Sequence, residues 1–272
     1  MIFKNKTVFI TGGSRGIGKA IGIRLAREGA NIVIAAKSTV ENPKLGGTIF
    51  TAAEEMNEAG GKGLAIQCDI RFEDQITSAV NTAAEYFGGI DILVNNASAI
   101  NLSSIEMIES KHYDLMQNVN VRGTILTSKY CIPHLKKSDN PHILTLSPPL
   151  NFDPKWFANH APYTISKFGM TMAAMGLANE LKKYGIASNT LWPQTTIATA
   201  AVINLLGGEQ LINMSRTTEI IADAAYVIFS QSSKEITANN FIDEKVLQNI
   251  GVTNFSKYAV VPGARLYTDL FL

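Results

Sequence analysis

The sequence is poor in the residues that mark several common classes of protein. Its 272 residues include two cysteines, Cys68 and Cys131, and only four histidines. The cysteines have no CxxC spacing and no histidine cluster near them. We therefore expect reduced core residues, with neither a disulfide framework nor a metal site. No apolar run reaches the ~18–20 residues that a membrane-spanning helix needs.

An excess of charge of either sign is also absent. With 24 basic and 23 acidic residues the net charge is +1, so nothing predicts binding to nucleic acid or to an anionic membrane. No secretory signal and no peroxisomal tripeptide is evident, and the sequence therefore predicts a cytoplasmic protein. A chain of this length, 46% hydrophobic, can bury a substantial core in one large α/β domain or in two small ones.

What the chain does contain is a regular alternation of strand and helix. Predicted strands cover residues 7–11, 31–36, 63–68, 91–95, 142–147, 187–192 and 240–242; predicted helices cover residues 16–28, 50–59, 73–87, 111–135, 163–181 and 220–230. Most strands are continuous apolar runs, which is typical of parallel strands buried on both faces. We therefore predict an α/β fold, a doubly wound parallel sheet (Rossmann fold) in a single domain over residues 1–272. A long loop is expected at 38–48, and an irregular extension from about residue 243.

A glycine-rich turn follows the first predicted strand and opens the first predicted helix. Gly12 permits a tight turn, while Gly16 and Gly18 let backbone N–H groups and the helix N-terminus approach a pyrophosphate. We predict that the turn binds a dinucleotide; the alternative is an ordinary connection that happens to be rich in glycine. The predicted binding residues are Gly12, Ser14, Arg15, Gly16, Ile17 and Gly18.

The end of the second strand predicts which dinucleotide binds. NAD sites usually place a carboxylate there to bond the ribose 2′-OH. This chain has Ala36 followed by Lys37, with Arg15 in the first turn. Two cations and no carboxylate suit a 2′-phosphate, so we predict NADP(H) rather than NAD(H). The alternative is that Arg15 and Lys37 are merely solvated.

Residues after the third and fourth strands complete the predicted cofactor site. Asp69, followed by Ile70, ends the third strand and is expected to accept a hydrogen bond from adenine. Asn96 and Ala97 follow the fourth strand and are expected to line the adenosine ribose. The carboxyl ends of parallel strands, near the switch in strand order, are where ligands bind in such sheets.

Tyr163 and Lys167 form the second informative motif. They stand four residues apart in a predicted helix, so they share one helix face with Cβ atoms roughly 5–6 Å apart. The Lys167 ammonium is expected to favour the phenolate and to lower the Tyr163 pKa from its usual value of about 10. Alone, the pair could be a surface tyrosine stacked on a lysine stem. Beside the glycine turn, it indicates a general acid/base for interconverting an alcohol and a carbonyl.

Together these motifs resemble the short-chain dehydrogenase/reductase family over roughly residues 7–245. The matching positions are Thr11, Gly12, Gly16, Gly18, Asp69, Asn95, Asn96, Ala97, Asn120, Ser147, Tyr163 and Lys167. The resemblance implies that Tyr163 is the acid/base and that Lys167 lowers its pKa and binds the nicotinamide ribose. It also implies that Ser147 hydrogen-bonds the substrate carbonyl and that Asn120 holds the water of a proton relay.

Several positions depart from the family pattern. Pro193 is followed by Gln194 where Pro-Gly is usual; the resemblance implies that Pro193 and Thr195 contact the nicotinamide carboxamide nearby. Ser98 replaces a usual glycine, and two prolines follow Ser147. The connection from 147 to 163 is longer than is common and carries Trp156, Phe157 and His160. We expect this loop to shape an apolar substrate pocket.

The predicted substrate is a small lipophilic carbonyl or alcohol. Residues 197–215 correspond to the family's mobile substrate lid, and they are mostly apolar, with no cluster of arginine or lysine to grip a carboxylate or phosphate. Two rival interpretations are weighed. One is an NADP(H)-binding redox-sensing or scaffold protein with little catalysis, against which the intact set of four catalytic residues argues. The other is an enoyl reductase, which usually spaces its tyrosine and lysine more widely.

The resemblance also implies a homodimer or homotetramer. Its members usually pair the long helix, here 111–135, and the helix that carries Tyr163. Met170, Met172, Met175 and Leu177 either supply part of such an interface or face the sheet, and the sequence does not separate the two.

Overall fold

The apolar strand segments form one seven-stranded sheet in the computed structural model, which describes residues 1–43 and 45–272 except for the side chains of 205 and 206. The strands are β1 (Thr7–Thr11), β2 (Asn31–Ala36), β3 (Lys62–Gln67), β4 (Ile92–Asn95), β5 (His142–Thr145), β6 (Ala187–Trp192) and β7 (Asn240–Ile242). Neighbouring strands are all parallel, in the order β3-β2-β1-β4-β5-β6-β7. The predicted doubly wound sheet is confirmed.

Helices connect the strands and cover the sheet. They are α1 (Gly16–Ala26), α2 (Ile49–Glu58), α3 (Glu73–Phe87), α4 (Ser110–Met116), α5 (Gly123–Leu135), α6 (Lys155–Ala158), α7 (Ala161–Leu181), α8 (Gly208–Asn213), α9 (Glu219–Phe229) and α10 (Asp243–Asn249). Helix α2 begins where it does because Thr48 Oγ1 accepts from Thr51 N at 3.1 Å, satisfying a free N–H of the first turn. In the described residues no helix is long and apolar enough to cross a membrane.

Alternate residues of the strands enter two different apolar layers. Val8 and Ile10 of β1 pack in a layer with α1, α2 and α9, while Phe9 packs in another layer with α3 and α5. Successive side chains of a strand point to opposite faces of a sheet. Both faces of this sheet are therefore buried, which explains why the strands are continuous apolar runs.

The direction of strand addition changes between β1 and β4, and polar groups tie the two strand ends together there. Thr11 Oγ1 donates to Val94 O at 3.3 Å and accepts from Asn96 N at 3.0 Å. At the end of β4, Asn95 Nδ2 donates to Ser128 Oγ of α5 at 3.0 Å. The carboxyl ends of the strands at such a switch are the usual place for a ligand.

The helix predicted over residues 111–135 is wrong in its middle. Helix α4 ends at Met116, a π-helical turn spans Gln117–Arg122, and α5 begins at Gly123. Such wide turns are uncommon and often occur at functional sites. The extension from about residue 243 also differs from the prediction, because it begins with α10, whose seven residues are too few to show a clear helical period.

On helix α7, the four residues that either face the sheet or form an interface divide into two groups. Met170 is fully buried and Leu177 packs partly buried against the core, whereas Met172 is 62% exposed and Met175 is 40% exposed. The four side chains therefore do not share one face. Only Met172 and Met175 are available for contact with another molecule.

Candidate active site

A groove of about 1320 Å³ runs along the carboxyl ends of β1 to β4. The predicted cofactor residues that line it are Gly12, Ser14, Arg15, Gly16, Ile17, Lys37, Asp69, Ile70, Asn96 and Ala97. On the side of the predicted lid, its wall includes Ala198 and Thr199. The structure thus brings the residues that were predicted to bind the pyrophosphate and the adenosine into one continuous groove. Within the described part of the chain, Gly18, Tyr163, Lys167, Pro193 and Thr195 do not line it.

The glycine turn has the backbone conformation that only glycine adopts easily. Gly12 has φ +65° and Gly16 has φ +56°, both in the left-handed region. A Cβ at Gly12 would lie 3.0 Å from Ala97 Cα. The turn is held by Asn96 Nδ2, which donates to Thr11 O and Gly12 O at 3.0 Å each. Because α1 begins at Gly16, its free N–H groups and positive dipole end open toward the groove.

Arg15 holds the long loop at 38–48 beside the end of β2. Its Nε donates to Gly46 O at 2.9 Å and its Nη2 donates to Gly47 O at 2.8 Å. A guanidinium has five N–H donors, so others remain for an anion. Lys37 is exposed next to buried Ala36, and no carboxylate stands at the end of β2. Lys44, in the same loop, lies outside the described residues.

Asp69 is paired with Arg71 where the groove passes the end of β3. Arg71 Nε lies 3.0 Å from both carboxylate oxygens, and Arg71 Nη2 donates to Asp69 Oδ2 at 2.6 Å. Although burial opposes it, hydrogen bonding from Arg71, with a smaller contribution from the Lys37 charge, holds the pKa of Asp69 below its ordinary value. The carboxylate is therefore ionised and shares its acceptor capacity between Arg71 and any ligand.

Thr195 lies away from the groove but carries a hydroxyl that needs a partner. Thr195 Oγ1 is buried without a hydrogen-bond partner among the described residues. Such groups are rare because an unpaired buried hydroxyl costs free energy. Two features therefore fit a dinucleotide that extends from the groove toward the end of β6. One is the glycine turn, where a Cβ would occupy the available space, and the other is this unpaired hydroxyl.

Tyr163 and Lys167 lie on the inner face of α7. They are 5% and 2% exposed, so the solvated surface pair considered from the sequence is excluded. Lys167 Nζ donates to Leu146 O at 2.6 Å and lies 5.0 Å from the centroid of the Trp192 ring. The helix thus carries both side chains to the end of β5, as the i, i+4 spacing predicts.

The expected lowering of the Tyr163 pKa is wrong for this arrangement. Burial raises the pKa of Tyr163, and the Asp269 carboxylate raises it further by repelling the phenolate. Burial also lowers the pKa of Lys167 to about 7, although Asp269 opposes that change. The sequence offered no sign of Asp269, and the spacing of Tyr163 and Lys167 alone could not report how deeply both are buried.

Ser147 is hydrogen-bonded to α7 through Thr171. Its side chain is fully buried, and its Oγ lies 2.9 Å from Thr171 Oγ1, one turn beyond Lys167. Among the hydrogen bonds of the described residues none joins Ser147 to Tyr163. Strand β5 ends at Thr145, two residues earlier than predicted, so Ser147 already lies in the connection that the two prolines stiffen. The role of Ser147 toward a substrate carbonyl stays a prediction, and in this structure its hydroxyl already accepts a hydrogen bond from Thr171.

Asn120 in the π-helical turn ties two other segments together. It is fully buried; its Oδ1 accepts from Ala99 N at 2.7 Å and its Nδ2 donates to Ala99 O and Ser166 Oγ, both at 2.9 Å. Both amide hydrogens and one lone pair are used, so one lone pair remains. The side chain therefore has little capacity left to hold a water.

Sequence analysis missed a segment that packs beside Tyr163. Residues 268–272, which we call the strap, place the Phe271 ring in the aromatic cluster around Tyr163. The rings with centroids 5.3 to 6.2 Å from that of Phe271 belong to Trp156, His160, Tyr163, Phe168 and Trp192. The one signal in the sequence was the apolar run Leu270, Phe271, Leu272, which needs burial but does not say where.

Comparison with known proteins decides the family. The sequence model described as short chain dehydrogenase matches residues 6–207. The chain belongs to the short chain dehydrogenase family. This family consists of oxidoreductases that are generally NAD(P)-dependent, in agreement with the groove at the strand ends.

Within this family, relatives of high identity share one description. Hydroxysteroid dehydrogenase-like protein 2 of Bos taurus is 57% identical over 98% of this chain and 63% of its own length; that of Homo sapiens is 56% identical over the same shares. Residues 31–37, 47–55, 146–151 and 260–263 resemble this protein, and the comparison confirms the resemblance. This chain spans less than two thirds of the length of those relatives. A short chain dehydrogenase structure from Mycobacterium thermoresistibile has a TM-score of 0.93 at 55% identity, covering 98% of this chain and 95% of that one.

Proposed function

We propose that this chain is an NADP(H)-dependent oxidoreductase that interconverts a small lipophilic carbonyl and its alcohol. The observation that carries the proposal is the position of Tyr163 and Lys167 on the inner face of α7, at the sheet edge where the glycine turn opens. Two further features support it, the unpaired hydroxyl of Thr195 and the absence of a carboxylate at the end of β2.

The residues have separate roles toward the cofactor. Backbone N–H groups of the glycine turn would bind the pyrophosphate, Asp69 and Ile70 the adenine, and Asn96 and Ala97 the adenosine ribose. Arg15 and Lys37 would bind the 2′-phosphate, since a guanidinium and an ammonium are natural partners of that group. Pro193 and the unpaired Thr195 hydroxyl would contact the carboxamide, and Tyr163 and Lys167 the nicotinamide ribose.

Tyr163 would move the proton at the substrate oxygen. Bound NADP(H) supplies or accepts the hydride at the substrate carbon. In reduction the Tyr163 phenol gives its proton to the carbonyl oxygen, which becomes the alcohol; in oxidation the phenolate takes that proton back. Because the pKa of Tyr163 is raised, the neutral phenol prevails near neutral pH, which suits reduction. The Lys167 ammonium would stabilise the phenolate that remains after proton transfer.

The surroundings of Tyr163 favour an apolar substrate. Its neighbours in the site are aromatic, and Phe157 and Phe168 lie with ring centroids 5.9 Å apart in an edge-to-face arrangement. The predicted lid contributes Ile197 and Val202, both buried; the side chains at 205 and 206 lie outside the described residues. A sugar phosphate would need cationic partners that these segments do not offer.

Parallel titration of NADPH and NADH, followed by turnover with a panel of carbonyls, tests the proposal. We expect tight NADPH binding, weak NADH binding, and NADPH oxidation that Tyr163→Phe abolishes while cofactor binding is retained. Preference for NADH would overturn the cofactor assignment alone. Turnover that survives in Tyr163→Phe would overturn the role of Tyr163.

A second candidate is an NADP(H)-binding redox-sensing or scaffold protein with little catalysis. Two observations favour it: no hydrogen bond of the described residues joins Ser147 to Tyr163, and Phe271 packs beside Tyr163. NADPH binding without turnover of any carbonyl in the panel would favour this candidate. Turnover that depends on Tyr163 would exclude it.

A homodimer or homotetramer is also proposed. On α7, Ile165 is 50%, Met172 62% and Met175 40% exposed, and Ile125 on α5 is 47% exposed. Exposed apolar side chains on helices of this kind are typical of an interface. Light scattering should give a multiple of the 29.5 kDa chain, and Met172→Glu should reduce that mass. A monomeric wild-type protein would contradict the proposal.

A further inference from the structure

The strap is fixed by bonds to two separate segments. Thr268 pairs with Thr195 in an antiparallel bridge, and Asp269 N donates to Gln194 O at 3.2 Å. Trp192 Nε1 donates to Leu270 O at 2.9 Å. On the other side, Asn151 Nδ2 donates to Phe271 O at 2.9 Å. The strap therefore bridges the end of β6 and the loop that follows β5, the two segments that flank Tyr163.

Phe271 occupies the aromatic cluster like a bound ligand. Its side chain is fully buried, and its backbone has φ +75°, a conformation that is unfavourable for a bulky residue. A strained backbone persists only where surrounding contacts compensate for it. Here the compensation is the ring itself, packed against Phe168 at 5.3 Å and Trp156 at 5.4 Å between centroids.

With the strap in this position most of the Tyr163 side chain is closed to a substrate. A general acid must come within hydrogen-bond reach of the atom it protonates. Tyr163 is 5% exposed, Lys167 is 2% exposed, and the Phe271 ring centroid lies 6.2 Å from that of Tyr163. The space beside Tyr163 that a substrate needs is filled by the chain's own phenyl ring.

We infer that Phe271 holds the substrate's place, so that the strap moves aside when substrate binds and the site prefers a carbonyl that carries a ring. This inference rests on the proposed function and names the substrate class within it. A ring replaces the phenyl group of Phe271 among partners already at 5.3 to 6.2 Å, the range in which aromatic pairs attract. A linear chain fills that space less completely, and unfilled space forfeits contact energy.

Room for the displaced strap exists beside it. A cavity of about 500 Å³ is bounded by Trp156, Met214, Tyr267 and Leu272, among others. It adjoins both the strap and the wall of the aromatic cluster. Movement of Phe271 toward this cavity would open the cluster without breaking the sheet or the glycine turn.

The test compares the binding of acetophenone with that of 2-octanone, a linear ketone of equal carbon number. Calorimetry on the whole protein, with and without NADPH, gives dissociation constants for the wild type, Phe271→Ala, Phe271→Leu and Phe271→Trp. Because Phe271→Ala removes the internal competitor, acetophenone should bind at least about tenfold more tightly, with a smaller gain for 2-octanone. Phe271→Leu should be intermediate, and Phe271→Trp should bind acetophenone more weakly than the wild type.

The matched control is Phe229→Ala, which removes another fully buried ring on α9, remote from the strap. It should leave ketone binding unchanged. Equal binding in wild type and Phe271→Ala, or equal gains for both ketones, would overturn the inference. Binding is measured without turnover, so the two proposals can fail separately. A tenfold gain in a protein that reduces no carbonyl would uphold the strap and refute the oxidoreductase. Carbonyl turnover without any gain in ketone binding by Phe271→Ala would refute the strap and uphold the oxidoreductase.

Discussion

Gly18 and Asn96 are packed so closely that a Cβ built at Gly18 lies 2.5 Å from Asn96 Nδ2. That nitrogen is the one that donates to Thr11 O and Gly12 O and holds the glycine turn against β4. Gly18 does not itself line the groove. Its contribution to cofactor binding is therefore indirect, because it lets Asn96 fix the turn whose N–H groups face the ligand.

Gly18→Ala should therefore weaken both the fold and cofactor binding. The added methyl group must displace Asn96, and overpacking of this kind typically costs ~1–3 kcal/mol. Urea denaturation and NADPH titration measure the two effects. The matched control is Gly176→Ala in α7, where a Cβ meets nothing within 4 Å and should stabilise the helix by ~0.5–1 kcal/mol. Unchanged NADPH binding in Gly18→Ala would contradict this account of the turn.

Ala36→Asp should reverse the preference between cofactors. The new carboxylate at the end of β2 would repel a 2′-phosphate and accept a hydrogen bond from a 2′-OH. We expect NADPH affinity to fall at least about tenfold, or ~1.4 kcal/mol, with little loss for NADH. Lys37→Ala provides the comparison, since it removes a cation without adding an anion and should weaken NADPH binding less. Equal losses for NADPH and NADH would refute the assignment of Arg15 and Lys37 to the phosphate.

The fold was predictable because burial on both faces leaves a direct trace in the sequence. β1, β2 and β6 have the predicted bounds, and β1 and β2 are apolar runs between polar or glycine-containing connections, whereas β6 buries three polar residues as well. The groove was predictable for a related reason, since glycine at 12 and 16 satisfies a backbone requirement that no other residue meets easily. Strand burial and the glycine conformation each depend on a short stretch of residues, so each can be predicted from the sequence.

What could not be predicted depends on contacts between distant segments. Asp269 acts on Tyr163 and Lys167 from about a hundred residues further along the chain, and no periodicity marks the strap. Ser147 matched a family position, yet the direction of its hydroxyl depends on how two prolines turn the chain after β5. Arg15 was correctly placed beside the groove, but its bonds to Gly46 and Gly47 depend on the path of a long loop.

Lys167→Met should abolish most turnover without unfolding the protein. Removal of an acid/base system typically costs about 10²–10⁴-fold in rate. Because burial lowers the pKa of Lys167 to about 7, the ammonium is lost as pH rises through that value, and wild-type reduction should decline above it. Steady-state rates across pH measure both effects, with Lys129→Met, an exposed lysine bound to Glu73, as control. Near-wild-type turnover in Lys167→Met would contradict the catalytic role.

Asn120→Ala should destabilise the protein more than Ser166→Ala. The first variant leaves Ala99 N and Ala99 O without their partners, and each buried unpaired group costs ~1–3 kcal/mol. The second removes one bond of the Asn120 amide and the bond from Ser166 Oγ to Tyr163 O, and leaves both bonds to Ala99 in place. Urea denaturation ranks the two variants. Equal stabilities would mean that the bonds to Ala99 are not what fixes the π-helical turn.

Asp269→Asn should change how stability depends on pH. Burial, together with the Asp243 carboxylate, raises the pKa of Asp269 from 3.8 to about 7, although Leu270 N and Lys167 oppose the change. Between those values the folded protein binds a proton that the unfolded chain has lost, so the contribution of Asp269 to the free energy of unfolding falls as pH rises. The variant removes that decline, and its stability relative to the wild type should therefore increase from pH 3.8 to about 7.

Urea denaturation across this range measures the difference, and Asp114→Asn, at an exposed position, serves as control and should show none. Asp269→Asn also removes the charge that repels the Tyr163 phenolate, so the pKa of Tyr163 should fall and alcohol oxidation should begin at lower pH. Lys167 loses a favourable partner at the same time, so its ammonium should also be lost at lower pH. A parallel pH profile of wild type and Asp269→Asn, in both stability and rate, would show that the strap carboxylate is not coupled to the catalytic pair.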